Sequence, residues 1–174
     1  VCLVSAGTLL ERRLEQTVVQ YEEITQGDWS GSIGVRLQMY RAALLMASDA
    51  PLFGHGEAHE KSLEKLHEDG AIRDSLRQFD PTHYHNQFLD YLVKKGIIGL
   101  ALFVGLFVAA VQLILSRSDS RPSARGAALG VLTLAAGASM TDVPFHHPPV
   151  VYIVIFMVIM LSAEADWVTG KPVR

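Results

Sequence analysis

Two patches of the sequence hold side chains that could carry out chemistry, and His85 is the centre of the first. It stands between Tyr84 and Asn86, shortly before a long apolar run. Histidine side chains as a class titrate close to neutral pH and can take a proton from a hydroxyl group, so His85 is a candidate general base. It could equally serve only to bond a backbone carbonyl at a helix start, and residue type leaves both interpretations open. His83 is a further candidate for substrate binding.

Arg36 is the centre of the second patch and follows a Gly-rich approach at residues 30–34. It should lie in the first turns of a helix, where free N–H groups and the helix dipole attract anions. Because a guanidinium can grip a phosphate with two hydrogen bonds, Arg36 is a candidate diphosphate clamp. The alternative is a surface arginine paired with Glu22 or Glu23. Arg41, also a candidate for substrate binding, lies about 140° further round a regular helix and should not share one site with Arg36.

The histidines invite a metal hypothesis, which their spacing does not support. Zinc sites usually need a tight pattern such as HExxH, and no such pattern occurs here. We therefore predict no metal. The adjacent His146 and His147 could line the same cavity as His85 or belong to an ordinary loop.

The apolar residues of the 174-residue chain are concentrated in blocks, although they make up only 49% of it. A soluble domain would spread them along every amphipathic element, so the pattern predicts an integral membrane protein. The formal net charge of −3 gives no sign of nucleic-acid binding. Since Cys2 is the only cysteine, no disulfide can form within the chain.

Three uncharged blocks predict transmembrane helices, and the first is long enough to cross about 30 Å of hydrocarbon. They occupy residues 96–116, 126–140 and 149–163. The apolar residues 1–10 predict the outer end of a further transmembrane helix, so we expect the chain to be truncated at its N-terminus. A short buried helix start is the alternative.

The short loops predict the orientation. Residues 117–125 contain three arginines, whereas residues 141–148 contain no Lys or Arg. The positive-inside rule places the first loop and the tail 164–174 in the cytoplasm, the second loop in the periplasm, and the large polar segment 11–95 also in the periplasm. Lys94, Lys95, Arg12 and Arg13 lie at the outer surface in this orientation and run against the rule, although cations there could face anionic lipid or phosphate.

The segment 11–95 should be helical and ordered. We expect a serine-capped helix at residues 33–48, a turn at 51–56 and a charged helix at 57–69. A proline-containing break follows at residues 80–82. From His85 a helix should run unbroken into the first membrane span.

These features resemble the O-antigen ligase family, and the resemblance covers about residues 28–163. The shared pattern consists of His85-Asn86, nine residues, and then a GIIG run at 96–99. The upstream Ser-Gly approach to Arg36 and the PLFGHG run at 51–56 also fit. A large outer loop before this pattern and short hydrophobic spans after it make the match more specific.

The resemblance implies an all-α, polytopic membrane protein of the GT-C-like glycosyltransferase kind, in the bacterial inner membrane with its active site facing the periplasm. Such an enzyme would move a glycan from undecaprenyl diphosphate to the lipid A-core oligosaccharide, without metal or cofactor. By resemblance His85 takes the place of the catalytic histidine and Arg36 that of an arginine binding the donor diphosphate. Asn86 would orient His85 or the glycan. Transmembrane helices missing from the N-terminus would complete the site.

Other functions remain open at this point. A repeat-unit polymerase and a protein O-oligosaccharyltransferase share the same motifs within the superfamily. A membrane receptor or transporter subunit is the alternative from another class. Transporters often carry ionisable residues inside the membrane, and the three predicted spans hold none, which disfavours a transporter but leaves a receptor open.

Overall fold

A computed structural model describes residues 2–79, 81–116 and 122–169, with side chains for residues 7–78, 81–116 and 122–159. These residues form helices and no strand, which confirms the predicted all-α fold. Short 3-10 turns at Gly56–Ala58 and Pro144–His146 lie between longer elements. The α-helices of the described part are α1 (Cys2–Thr25), α2 (Ser32–Asp49), α3 (His59–Glu68), α4 (Asp74–Phe79), α5 (Gln87–Ser116), α6 (Pro122–Thr141) and α7 (Pro148–Thr169).

Helix α2 forms the centre of the segment before the first apolar block. Its buried apolar residues recur at helical spacing, so one face turns inward and the rest of the helix faces outward. That face contacts α3, α4 and the first half of α5. The buried apolar core consists of Val35, Met39, Ala42, Ala43, Met46, Leu63, Ile72, Leu76, Tyr84 and Val93. The helices predicted at residues 33–48 and 57–69 are therefore confirmed, the second with a shorter extent.

The start of α2 differs from the prediction. Its N-cap is Gly31, which makes no side-chain capping bond. Instead Oε1 of Gln20, in α1, accepts hydrogen bonds from the Ser32 hydroxyl and the Ile33 N–H, both at 3.0 Å. The predicted serine cap is wrong because a carboxamide from another helix satisfies these donors.

Helix α5 is broken where the sequence predicts continuity. It begins at Gln87, and Gly96 interrupts it with φ 64° and ψ −169°. These angles lie in a region that essentially only glycine adopts. The predicted unbroken helix from His85 is thus wrong, and α5 consists of a polar half before Gly96 and an apolar half after it.

The apolar part of α5 and the apolar helices α6 and α7 pack together, with α6 in contact with both of the others. Among the described residues, α5 is the one helix long and apolar enough to cross a membrane, and Pro148–Ile159 forms a shorter apolar helix. Ile114, Ala128, Leu132 and Val158 join the three helices in a buried cluster. The individual boundaries of the other predicted spans stay predictions.

Some predicted features fall outside the described residues. Asp80 of the predicted break, residues 117–121 of the predicted cytoplasmic loop and residues 170–174 of the predicted tail belong to this group.

Candidate active site

The segment from residue 81 to 86, between α4 and α5, carries His83 and His85 and is anchored from both sides. Tyr84 is fully buried, and its hydroxyl lies 3.4 Å from both Met46 Sδ and His59 Nδ1. Burial raises the pKa of Tyr84, so the hydroxyl stays protonated. On the other side, Lys94 Nζ donates to the Thr82 carbonyl at 2.9 Å. The backbone on both sides of His83 is therefore fixed to the core.

His85 has an unusual backbone conformation. Its φ of 45° makes it the single non-glycine residue with positive φ in the described part of the chain. The left-handed region costs an L-residue about 1–2 kcal/mol. The Tyr40 hydroxyl, from α2, donates to the His85 carbonyl at 3.5 Å and helps to hold this conformation. Strain of this kind clusters at functional sites, which supports a role for His85 beyond packing.

The carboxylate of Asp142, which is distant in the sequence, lies beside this segment. Asp142, just after α6, places Oδ1 3.4 Å from His85 Nδ1 and 4.0 Å from His83 Nε2. The two imidazole rings are 4.4 Å apart, centre to centre, and meet edge to face. When a neutral histidine donates Nδ1–H to a carboxylate, its other nitrogen carries no proton, and this is the tautomer that a general base needs.

The surroundings of Asp142 and His83 lower the pKa of both side chains. The Val143 N–H is the main cause that lowers the pKa of Asp142, and His85 and His83 lower it further, so the carboxylate stays ionised. Burial and the neighbouring His85 lower the pKa of His83 and favour its neutral form. An ionised aspartate thus faces two imidazoles, one of them held neutral.

A buried polar network holds the Asp142 loop in place. The Gln87 N–H donates to the Asp142 carbonyl at 3.1 Å, and Gln87 Oε1 accepts the Phe145 N–H at 2.9 Å. Asp90, one turn further along α5, has a carboxylate oxygen 2.8 Å from His146 Nε2. The first two turns of α5 therefore fix the loop that carries Asp142.

Asn86 is the N-cap of α5. Its Oδ1 accepts the N–H groups of Phe88 at 3.0 Å and Leu89 at 3.2 Å, and its Nδ2 donates to the Met140 carbonyl at 3.3 Å. These contacts tie α5 to the end of α6. The side chain thus has structural partners already, and its predicted contact with the glycan stays a prediction.

Arg36 and Arg41 are exposed residues of α2. Among the described residues neither side chain has a hydrogen bond or an ion pair, so the alternative pairing of Arg36 with Glu22 or Glu23 is not observed. Arg36 precedes Tyr40 by one helical turn and therefore lies on the same face of α2. Tyr40 in turn contacts the carbonyl of His85. Arg36 is available for an anionic ligand on the side of α2 that leads to His85.

The His83, His85 and Asp142 donors could also hold a cation. One ligand atom from each lies within 4.8 Å of the others. Two imidazoles and a carboxylate are a donor set suited to zinc, although tetrahedral coordination would need a closer approach. The predicted absence of metal stays a prediction.

The sequence pointed to His83, His85 and Arg36 as candidates, and it did not point to Asp142 or Asp90. Asp142 has no spacing relationship to His85, since 57 positions separate them and only packing of α6 against α5 brings them together. Asp90 offered a readable signal, because it precedes Lys94 at the i,i+4 spacing of helix ion pairs. Lys94 does not face lipid or phosphate, as the sequence allowed, because its side chain is buried against Asp90.

Comparison with known proteins agrees with these motifs. A family model described as "O-Antigen ligase" matches residues 1–104, which is more than half of the chain and includes the break at Gly96. An uncharacterized protein of Haemophilus influenzae (strain ATCC 51907 / DSM 11121 / KW20 / Rd) is 29% identical over 100 residues. The alignment covers 57% of this chain and 22% of that relative, so the matched part is less than a quarter of the relative's length.

Proposed function

Since the chain belongs to the O-antigen ligase family, we propose that it transfers a glycan from undecaprenyl diphosphate to the lipid A-core oligosaccharide. The observation that carries the proposal is the pairing of His85 with Asp142 directly before a helix that could cross a membrane. A proton acceptor at this boundary could serve a donor whose lipid lies in the membrane and whose sugar lies in water.

His85 acts as the general base in this proposal. Asp142 accepts the Nδ1–H of His85, and the opposite nitrogen takes the proton of the acceptor hydroxyl as its oxygen bonds to the anomeric carbon. The bond from that carbon to the diphosphate breaks, and the undecaprenyl diphosphate leaves with the electron pair. Asp142 then faces the imidazolium and stabilises its positive charge.

Arg36 binds the diphosphate. The leaving group gains negative charge as its bond breaks, and a guanidinium can pair with two of its oxygens. Arg36 is exposed and lies one turn before Tyr40, whose hydroxyl contacts the His85 carbonyl. This relationship supports a position of Arg36 near His85, on the side where the leaving group departs. Arg41 and His83 would add contacts to the substrate.

The setting of the reaction is the periplasmic face of the bacterial inner membrane. The apolar half of α5, with α6 and α7, would span the membrane as a multi-pass anchor. The arginine-rich loop between α5 and α6 would then lie in the cytoplasm. His85, at the opposite end of α5, would face the periplasm together with Arg36.

The proposal is tested by complementation of a strain that lacks the native enzyme. The unchanged protein should restore long O-antigen chains on the lipid A-core, and His85→Ala should leave core without long chains. A general base contributes about 10²–10⁴-fold to the rate, which suffices for this difference. Intact transfer by His85→Ala would reject the role of His85. If the strain instead accumulates core bearing a single repeat unit, the protein is a polymerase.

Arg36→Glu tests the diphosphate clamp in the same strain. The substitution should abolish transfer while membrane insertion persists, because reversed charge repels the donor. Arg77→Glu is the matched control, since Arg77 is also an exposed helical arginine of the outer segment and lies on α4. Equal activity of the two variants would reject the clamp.

A further inference from the structure

The turn that follows α2 is bonded directly to the break in α5. The Ile97 N–H donates to the Pro51 carbonyl at 2.8 Å, and the Ile98 N–H donates to the Leu52 carbonyl at 3.4 Å. In the opposite direction, the His55 N–H donates to the Val93 carbonyl at 2.7 Å. The turn therefore caps the apolar half of α5 and satisfies N–H groups that the break leaves without helical partners.

Two glycines make this close approach possible. A Cβ at Gly96 would overlap the Leu52 carbonyl, and a Cβ at Gly54 would overlap the backbone at Val93. Both glycines also have positive φ. Because backbone meets backbone here, the turn at residues 51–54 is fixed at the level where the apolar half of α5 begins.

The tip of this turn presents apolar side chains outward. Phe53 is 73% exposed and Leu52 is 56% exposed, beside Ile97 and Ile98, which are also exposed. Lys95 immediately precedes the break at Gly96, and its Nζ lies 5.4 Å from the centre of the Tyr91 ring. An aromatic residue and a lysine just outside an apolar span are typical of the boundary between lipid and water.

We propose that Leu52 and Phe53 insert into the outer boundary of the lipid bilayer and anchor the periplasmic segment to the membrane surface. The turn is continuous with the start of the apolar half of α5, so a bilayer that surrounds this half must reach Phe53. If a protein partner occupied this surface instead of lipid, it would have to cover both the turn and the exposed Ile97 and Ile98. The inference depends on membrane crossing by α5 and not on glycan transfer.

Spin labelling tests the proposal in the protein reconstituted into phosphatidylethanolamine and phosphatidylglycerol vesicles. Cys2 is the only cysteine of this chain, so a cysteine-free background needs only Cys2→Ser here. Phe53→Cys receives the nitroxide, and Leu52→Cys provides a second position if the first label disturbs folding. Collisions with oxygen report lipid exposure, and collisions with a water-soluble nickel chelate report water exposure.

Two control positions provide reference values for a lipid-exposed label and a water-exposed label. Leu106→Cys, in the apolar half of α5 and 71% exposed, should show high oxygen and low nickel accessibility. Lys61→Cys, exposed on α3, should show the reverse. We expect the label at position 53 to resemble the label at position 106, at a shallower depth. Nickel accessibility like that of position 61 would overturn the proposal, and so would shielding from both reagents, which would indicate a protein contact. A water-exposed label at position 106 would overturn the membrane crossing itself.

Discussion

The Asp90 carboxylate lies 2.8 Å from His146 Nε2, although only 1% of the Asp90 side chain is exposed. On its other side Lys94 Nζ lies 3.2 Å from Asp90 Oδ1 and donates to the Thr82 carbonyl. One buried carboxylate therefore connects the segment before His85 with the loop that carries Asp142. The geometry of the proposed catalytic pair therefore depends on this carboxylate, which supports the segments on both sides of the pair.

Asp90→Asn should lower the free energy of unfolding by about 3–5 kcal/mol, because it leaves the buried Lys94 cation without a counter-charge. Denaturant unfolding of the protein in detergent micelles measures the change. Asp142→Asn is the control, since its side chain is 64% exposed and the loss should be about 0–1 kcal/mol. Similar losses in the two variants would contradict the importance of burial.

Gly96→Ala should destabilise the fold by more than about 2 kcal/mol, since a φ of 64° with a ψ of −169° is strained for alanine and the new Cβ meets the Leu52 carbonyl. Gly105→Ala, later in the same helix, is the matched control because a Cβ there meets nothing within 4 Å. Its effect should be neutral or slightly stabilising. Thermal unfolding in micelles compares the two, and equal midpoints would show that the turn does not constrain the break.

The helices of residues 11–95 were predictable because their signals are local. Apolar residues at helical spacing indicate α2, and the glycines and proline of residues 51–56 indicate the turn after it. The interruption of α5 at Gly96 was not predictable in the same way. Gly96 stands at the edge of an apolar block, and its backbone conformation follows from contact with Leu52, which is distant in the sequence.

The candidate site was predictable only on one side. His85 and His83 stand out because imidazoles precede a membrane-capable helix, and this position is visible in the sequence. Their partner Asp142 lies at the end of a helix rich in Ala and Gly, where a single carboxylate has no distinctive neighbours. Only the packing of α6 against α5 brings it to His85, so the contact between the two side chains is a product of tertiary structure.

His59 should make the fold sensitive to mild acid. It is 2% exposed, and burial lowers its pKa, with the nearby Lys94 as a second cause. The unfolded chain, with a histidine pKa near 6.5, therefore takes up the proton first. The contribution of the neutral His59 imidazole to the free energy of unfolding is complete above about pH 6.5, the pKa in the unfolded chain. This contribution is lost as the pH falls below that value and through the lower pKa of His59 in the folded protein.

Denaturant unfolding at about pH 7.5 and about pH 5.5 checks this sign, with a maximum slope of about 1.4 kcal/mol per pH unit for one proton. His59→Gln should be less stable at the higher pH but should lose less stability on acidification. Other titrating groups are common to both proteins, so the difference in slope isolates His59. Parallel pH profiles would refute the assignment.

Asp142→Asn should separate the chemical role of this carboxylate from a structural one. The asparagine Oδ1 can still accept the His85 Nδ1–H, but it supplies no charge to stabilise the imidazolium that forms as the acceptor loses its proton. We therefore expect kcat to fall about 10²-fold or more with little change in KM for the lipid-linked donor. Turnover of the reconstituted enzyme over a range of donor concentrations provides both constants.

The control for this experiment is a second histidine–aspartate pair outside the site. Asp74 Oδ1 lies 3.2 Å from His67 Nε2, and its side chain is more exposed than that of Asp142. Asp74→Asn should leave kcat and KM unchanged, because His67 and Asp74 belong to α3 and α4 and have no role in the proposed reaction. If Asp142→Asn retains the kcat of the unchanged protein, Asp142 does not assist the base. If it raises KM alone, Asp142 contributes to binding and the transition-state role assigned to it is wrong.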